Sequence, residues 1–334
     1  MDPCTQGLLG ASLSCSFSKK NQIKTASFCG FVGGLAPDLD IFIKSNEDPL
    51  LFIEFHRHFT HSLVFIPVLG LLVAAIIFIL SFKKKISFYF YFLYSTLGVS
   101  THGILDSFTS YGTMLYWPFY NDRVAWNLIS IVDPIYTFIL FFFFTFCFLR
   151  KSKKFCHFGL FFSCIYLVIC LIKYKQVERI IEDYSVSIGH SIERILLNPT
   201  LGNNILWRTV YKYKNHYYIN AVYVPYFGIS RIKKGEKIEF INEEKIFPDL
   251  QSNSIQRNDI RRFSFFSQSF IYLHPEYPNI IGDLRYGTLP FDARSLWGIK
   301  VDINNPDNHV KFKNLRNFTN KDYIKFWSMI KGEF

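Results

Sequence analysis

Three short runs hold the side chains of this chain whose types and spacing suit joint chemistry. Ala36-Pro37-Asp38-Leu39-Asp40 sets two carboxylates on a turn, since proline ends a helix. His56-Arg57-His58-Phe59-Thr60-His61-Ser62 carries three imidazoles within six residues. His102-Gly103-Ile104-Leu105-Asp106 places an imidazole and a carboxylate four apart, on one face of a helix. Imidazole nitrogen with carboxylate oxygen and no thiolate is a donor set for a divalent metal, zinc first, with manganese and iron as alternatives. Such sites use the ion to acidify a water molecule for attack. The candidate metal ligands are therefore Asp38, Asp40, His56, His61, His102 and Asp106. Six candidates leave one ion or two open. Asp40 is also the candidate general base, and Arg57 the candidate partner for an anionic substrate or a neighbouring carboxylate.

Each motif has an ordinary explanation when taken alone. Asp-x-Asp is commonly a cap or a turn, His-x-x-x-Asp a hydrogen bond along a helix, and His58 a solvated neighbour. Their convergence argues for function, and so does the cost of placing an ionisable group inside a span, which singles out His102.

The elements that must position these residues are apolar helices. The chain has 334 residues, 50% hydrophobic and 19% aromatic, with a positive mean hydropathy of +0.15. Most apolar runs fall before Lys173, and ordinary polar-apolar alternation follows. Four stretches approach the ~20 apolar residues that cross a bilayer. They run from Ser62 to Phe82, Ile86 to Leu105, Ile131 to Leu149 and Phe155 to Ile172. Thr5 to Phe17 and Thr25 to Pro37 read as shorter helices, tilted, re-entrant or packed on the bundle. The N-terminus lacks a basic leader, which argues against a cleaved signal peptide. The expected fold class is an α-helical membrane bundle, with four clear spans plus two short N-terminal helices, followed by a small α+β domain. The expected domains are 1–173, with the metal site, and 174–334, facing water.

Basic clusters supply an orientation. Lys19, Lys20 and Lys24, then Lys83, Lys84 and Lys85, then Arg150, Lys151, Lys153 and Lys154 fall on one side if every helix crosses. The positive-inside rule makes that side cytoplasmic. The His/Asp motifs and the second domain then lie at the outer face of a multi-pass protein of the cytoplasmic (inner) membrane. The net charge of +11 is explained by these membrane-proximal loops, so the bilayer is the expected partner and nucleic acid is not. All seven cysteines occur at or before Cys170 with no Cys-x-x-Cys pair, so no disulfide framework or thiolate zinc finger is indicated in the second half.

At these motifs the sequence resembles the membrane-bound metal-dependent hydrolase family, the LexA-binding, inner-membrane-associated hydrolases. The resemblance rests on Met1-Asp2-Pro3, Thr5-Gln6, Leu9-Gly10 and Gly34-Leu35-Ala36-Pro37-Asp38-Leu39-Asp40. It continues through His56-Arg57, Thr60-His61-Ser62, His102-Gly103-Ile104-Leu105-Asp106, Thr109-Ser110-Tyr111-Gly112-Thr113, Trp117-Pro118-Phe119, Arg123-Val124-Ala125-Trp126-Asn127 and Asp133-Pro134-Ile135-Tyr136-Thr137. Leu206-Trp207-Arg208 and Asp283-Leu284-Arg285-Tyr286-Gly287 look like longer members with an appended domain. The resemblance implies metal binding at His56, His61, His102, Asp106 and the Asp38/Asp40 pair. Many members carry Thr-His near the start where this chain has Thr5-Gln6, so a site using that histidine would be altered or one ligand short.

In the second half, Gln176 to Leu197 reads as an amphipathic helix. Val210 to Lys214 and Tyr217 to Val224 read as a hairpin, and Lys237 to Ile241, Phe263 to Leu273, Asn279 to Leu284 and Trp297 to Val301 as further strands. Thr319 is placed to cap a closing helix through Lys331. Arg261, Arg262 and Arg285 are candidate phosphate contacts, with solvated arginines the ordinary alternative. The function expected is metal-dependent hydrolysis of an ester or phosphoester at the outer membrane face, with lipid-linked or envelope substrates. A non-enzymatic metal-binding scaffold or a transporter-like protein is the alternative.

Overall fold

A computed structural model describes residues 1–81 and 86–334, so Lys83, Lys84 and Lys85 lie outside the described residues. The helices are α1 (Pro3–Ser16), α2 (Ile23–Leu35), the one-turn α3 (Leu51–Phe55), α4 (Ile66–Leu80), α5 (Phe88–Ser107), α6 (Pro134–Arg150), α7 (Lys154–Ser187), α8 (Ile255–Phe266) and α9 (Asn320–Ile330). The strands are β1 (Arg194–Pro199), β2 (Leu206–Tyr213), β3 (His216–Tyr223), β4 (Arg231–Glu239), β5 (Ile271–Leu273), β6 (Ile280–Asp283), β7 (Trp297–Lys300) and β8 (Lys311–Asn314). The chain divides into two units: residues 1–43, 55–171 and 201–203 form the first, and 44–54, 172–200 and 204–334 the second.

In the first unit, α5 is the central helix, packed against α1, α2 and α4. Small residues set the approach. A side chain at Gly98 of α5 would collide with the backbone of Gly30 in α2, the close helix contact that small residues permit in membrane bundles. Asp2 caps α1 through the Thr5 amide, and Asp133 caps α6 through the amides of Ile135 and Tyr136 while Tyr166 donates to it. That capping role accounts for Asp133 without a ligand function.

Among the described residues, two helices are long and apolar enough to cross a membrane, Leu63–Leu80 and Lys154–Ser187. The expectation of four clear spans is corrected to two. Helix α6 has 17 residues, and α5 carries Ser95, Thr96, Ser100, Thr101, His102 and Asp106 among its apolar side chains. The tyrosines and phenylalanines of α5 made it read as a span, yet much of it faces other helices.

The second unit contains two four-stranded antiparallel sheets, ordered β1-β2-β3-β4 and β5-β6-β7-β8. Leu196, Val210, Tyr217 and Ile219 of the first sheet cluster with Phe270, Tyr272, Leu284 and Ala293. Val177 and Ile181 of α7 cluster with Trp207, Tyr211 and Val222. Two expectations fail here. Helix α7 is continuous to Ser187 and stops at Gly189, whose φ of +74° suits a glycine terminator, so Ile195 belongs to strand β1. Phe263 to Leu273 is not one strand: Ser254 caps α8, which buries Ile260, Phe263 and Phe266 on one helical face before β5 begins. The hairpin is β2-β3, turning at Lys214, and α9 starts at Thr319 with a full capping box.

Candidate metal centre

The site is assembled entirely within the first unit. Asp38 and Asp40 lie on a 3-10 segment, Ala36–Phe42, that follows α2 directly. At three residues per turn, positions two apart point about 120° away from each other, so the two carboxylates take different surroundings. His61 ends a short 3-10 turn, Phe59–His61, and His102 and Asp106 lie four apart on the buried face of α5.

Four atoms converge. Asp38 Oδ1 is 3.4 Å from His61 Nε2 and 3.3 Å from His102 Nε2. Asp106 Oδ2 is 3.3 Å from His61 Nε2 and 3.6 Å from His102 Nε2. A tetrahedron with ligands ~2.0–2.2 Å from its centre has edges of roughly 3.3–3.6 Å, so these four separations match it. His61, His102 and Asp106 side chains are fully buried, and Asp38, 25% exposed, is the open side.

The imidazoles are locked from behind. His102 Nδ1 lies 2.5 Å from the Gly34 carbonyl, which only accepts, so Nδ1 carries the proton and Nε2 turns its lone pair into the cluster. His61 Nδ1 lies 3.0 Å from the Thr60 hydroxyl, which donates to Asp40, and 3.2 Å from Asp40 Oδ2. His61 Nε2, His102 Nε2 and Asp106 Oδ2 are buried without a hydrogen-bond partner. With both imidazoles neutral at Nε2, lone pairs would face one another in this buried site, and the donor set fits a divalent ion. Burial by itself lowers the His61 pKa, but the carboxylates of Asp106, Asp38 and Asp40 outweigh it and raise it to about 10. Without a metal, a proton on His61 offsets part of the negative charge.

Asp40 stands behind His61. Its Oδ1 accepts from His56 Nδ1 at 2.8 Å, and its Oδ2 from the Arg57 amide at 2.9 Å and the Thr60 hydroxyl at 2.8 Å. Burial raises its pKa, and the contacts with His56 and His61 outweigh this and hold the group below the usual carboxylate range. A second group of three, Asp38, Asp40 and His56, also brings ligand atoms within 4.8 Å of one another. The His56 side chain is 27% exposed. Arg57 sits at φ +62°, held there by Asp40 and by the Met114 amide donating to its carbonyl. Its guanidinium is buried, 3.0 Å from Asp106 Oδ2, hydrogen-bonded to Thr109 at 2.8 Å and packed over Tyr111. His58 packs with Phe55, Phe59 and Trp117, away from the quartet.

Gln6, the departure noted from the sequence, is part of this surround. Its Nε2 donates to Asp106 Oδ1 at 2.9 Å and to the His102 carbonyl at 3.3 Å, and the Met1 amino group also donates to Asp106 Oδ1. Thr60, Thr109 and the Gly34 carbonyl were not singled out from sequence. The first two lie inside the quoted motifs, whereas nothing local marks a carbonyl as a histidine's partner. The three arginines named in the second half each hold carboxylates: Arg261 pairs with Glu244, Arg262 with Asp48, Glu54 and Asp259, and Arg285 with Asp283.

The family described as YdjM inner membrane protein matches residues 1–177, more than half of the chain and all of the quartet. The chain belongs to that family. Membership and two membrane-capable helices together make it a membrane protein. The Bacillus subtilis (strain 168) protein described as "Uncharacterized protein YfhP" is 27% identical over 178 residues, 51% of this chain and 50% of that protein. The chain thus spans about half the length of the curated relative it matches. No solved structure matches it.

Proposed function

We propose that this member of the family is a metal-dependent hydrolase of ester or phosphoester bonds. Asp38, His61, His102 and Asp106 hold one divalent cation, with zinc the first choice for two nitrogens and two oxygens at tetrahedral spacing and manganese or iron the alternatives. The observation that carries this reading is the convergence of two imidazole Nε2 atoms and two carboxylate oxygens at tetrahedral spacing, with His102 Nδ1 locked by the Gly34 carbonyl. A bound divalent ion supplies Lewis acidity and lowers the pKa of water.

The remaining residues then take distinct roles. Both oxygens of Asp40 are engaged, so it orients His61 and His56 instead of serving as the base. His56, steered by Asp40 and partly exposed, is the group to take or return a proton at Nε2. Arg57 is committed to Asp106 and Thr109, which makes it a positioning residue. Near the open side, Leu39 is 62% and Phe42 72% exposed. An apolar rim beside a polar site suits a lipid-linked or envelope substrate taken from the membrane interface. With α4 and α7 both crossing, Arg150, Lys151, Lys153 and Lys154 before α7 mark the cytoplasmic side, and the site lies at the outer face of the cytoplasmic membrane.

One observation favours a non-enzymatic alternative: four protein ligands complete a tetrahedron, the pattern of structural metal sites. Detergent-purified wild type and His61→Ala/His102→Ala should be compared by mass spectrometry for metal and by turnover of a generic phosphoester. Metal and turnover lost together support the hydrolase. Metal present without turnover over a broad ester and phosphoester panel supports a scaffold, and absence of metal even after loading overturns both.

A further inference from the structure

A second cluster of metal-ligating side chains lies in the first unit, away from the His/Asp motifs in sequence. Cys15 near the end of α1, Cys147 near the end of α6 and Cys156 near the start of α7 are each fully buried. Their three sulfurs lie within 4.8 Å of one another, and Cys15 Sγ is 3.4 Å from Cys147 Sγ. A buried cysteine is ordinarily a small apolar filler. Three helices aiming three sulfurs at one point is a different arrangement, and none of the other four cysteines joins such a group among the described residues.

We propose that Cys15, Cys147 and Cys156 form a three-thiolate site for a soft monovalent ion, Cu(I). The geometry needs little movement: with ion–sulfur distances of ~2.3 Å, a trigonal site has sulfurs roughly 4 Å apart, between the 3.4 Å contact and the 4.8 Å limit of the cluster. The donor set is all sulfur, the wall includes Ile23, Phe144 and Phe155, and the hydroxyls of Ser18 and Ser27 lie against Cys15. Three soft thiolates favour Cu(I), whereas structural zinc takes a fourth ligand.

Basic side chains stand near the cluster in sequence. Three thiolates around Cu(I) carry two net negative charges, and each cysteine lies within four residues of a basic side chain: Lys19, Arg150, and Lys153 with Lys154. The Lys153 ammonium donates to the Ser18 carbonyl at 3.1 Å, tying the start of α7 to the end of α1 beside the cluster. These residues mark the end of the bundle where α1 and α6 finish and α7 begins. They also assign this end of the bundle to the cytoplasm, where thiols stay reduced and copper is cuprous.

The test is anaerobic titration of the full detergent-purified chain with Cu(I) in competition with a chromogenic chelator, followed by X-ray absorption at the copper edge. One Cu(I) per chain with three sulfur neighbours is expected. Cys15→Ser/Cys147→Ser/Cys156→Ser should lose that copper, while Cys29→Ser/Cys170→Ser and His61→Ala/His102→Ala should keep it. Wild type that cannot compete for Cu(I), nitrogen or oxygen ligation in the absorption spectrum, or a Cys15–Cys147 disulfide in protein alkylated anaerobically at lysis would each overturn the site. Should the triple variant fail to fold, the wild-type spectrum and a single Cys147→Ala variant still decide: undiminished copper with three sulfurs in Cys147→Ala overturns the proposal.

Discussion

Two groups of aspartate and histidine invite the same reading, and the contents of each separate them. In the first unit Asp38, His61, His102 and Asp106 gather, and in the second Asp48, Asp259 and His309. The second group already contains its cation. Arg262 pairs with Asp259 at 2.8 Å, Asp48 at 2.8 Å and Glu54 at 2.5 Å, and His309 Nδ1 and the Val310 amide bond Asp259 at 2.9 and 3.0 Å. The first also holds positive groups, the Arg57 guanidinium and the Met1 amino group, but both sit on Asp106, and His61 Nε2 and His102 Nε2 are buried without a hydrogen-bond partner. Proximity of acids and histidines is therefore not what marks a metal centre. Imidazole nitrogens turned toward carboxylates without a hydrogen bond are what single out the candidate.

The comparison breaks most sharply on metal content. His61→Ala/His102→Ala should abolish bound metal, whereas His309→Ala should leave it at the wild-type level by mass spectrometry. The opposite pattern would move the centre to the second unit. A large loss is also expected for Gly103→Ala, because a Cβ there meets the His61 carbonyl and displaces a ligand. Its metal affinity, read by chelator competition, should fall at least as far as that of Asp40→Asn. For Asp40→Asn, which weakens the group holding His61 Nδ1, the expected loss is about 10–100-fold, with the fold retained by circular dichroism.

On the other side of the comparison, Arg262→Met should leave metal content alone and destabilise the second unit. The cost is about 2 kcal/mol, below the ~3–5 kcal/mol of a fully buried pair because Arg262 is partly exposed. Protease susceptibility of the second unit measures it. The smallest effect is one of pH. Burial raises the Asp48 pKa, but Arg262 outweighs it and holds the group below its ordinary 3.8. A depressed carboxylate contributes stability above its unfolded value and loses it as pH falls through the folded value. Acidification below about 4 should therefore destabilise wild type more than Arg262→Met, as followed by the same proteolysis assay.

Much of the candidate site's residue content was legible because its motifs are local in sequence. The four-residue spacing of His102 and Asp106 needs only a helix to place both on one face, and Asp-x-Asp after proline and His61 beside an apolar run announce themselves. The separation of Asp38 from Asp40 was not legible: it depends on a 3-10 turn after α2, which sends one carboxylate to the quartet and the other behind His61. Span counting failed for a related reason. Hydrophobicity does not say whether an apolar side chain meets lipid or another helix, and α5 meets α1, α2 and α4.

By itself the sequence determined the membrane character, the residue types of the site and their allocation to three motifs, because composition and short-range periodicity are properties of neighbouring residues. Tertiary structure alone decided that a backbone carbonyl at Gly34 sets the tautomer of His102, that Gln6 reaches Asp106, and that three cysteines from distant helices meet. These are contacts between residues 68, 100 and 132 positions apart, set by how closely glycine-lined helices pack and invisible to any local pattern.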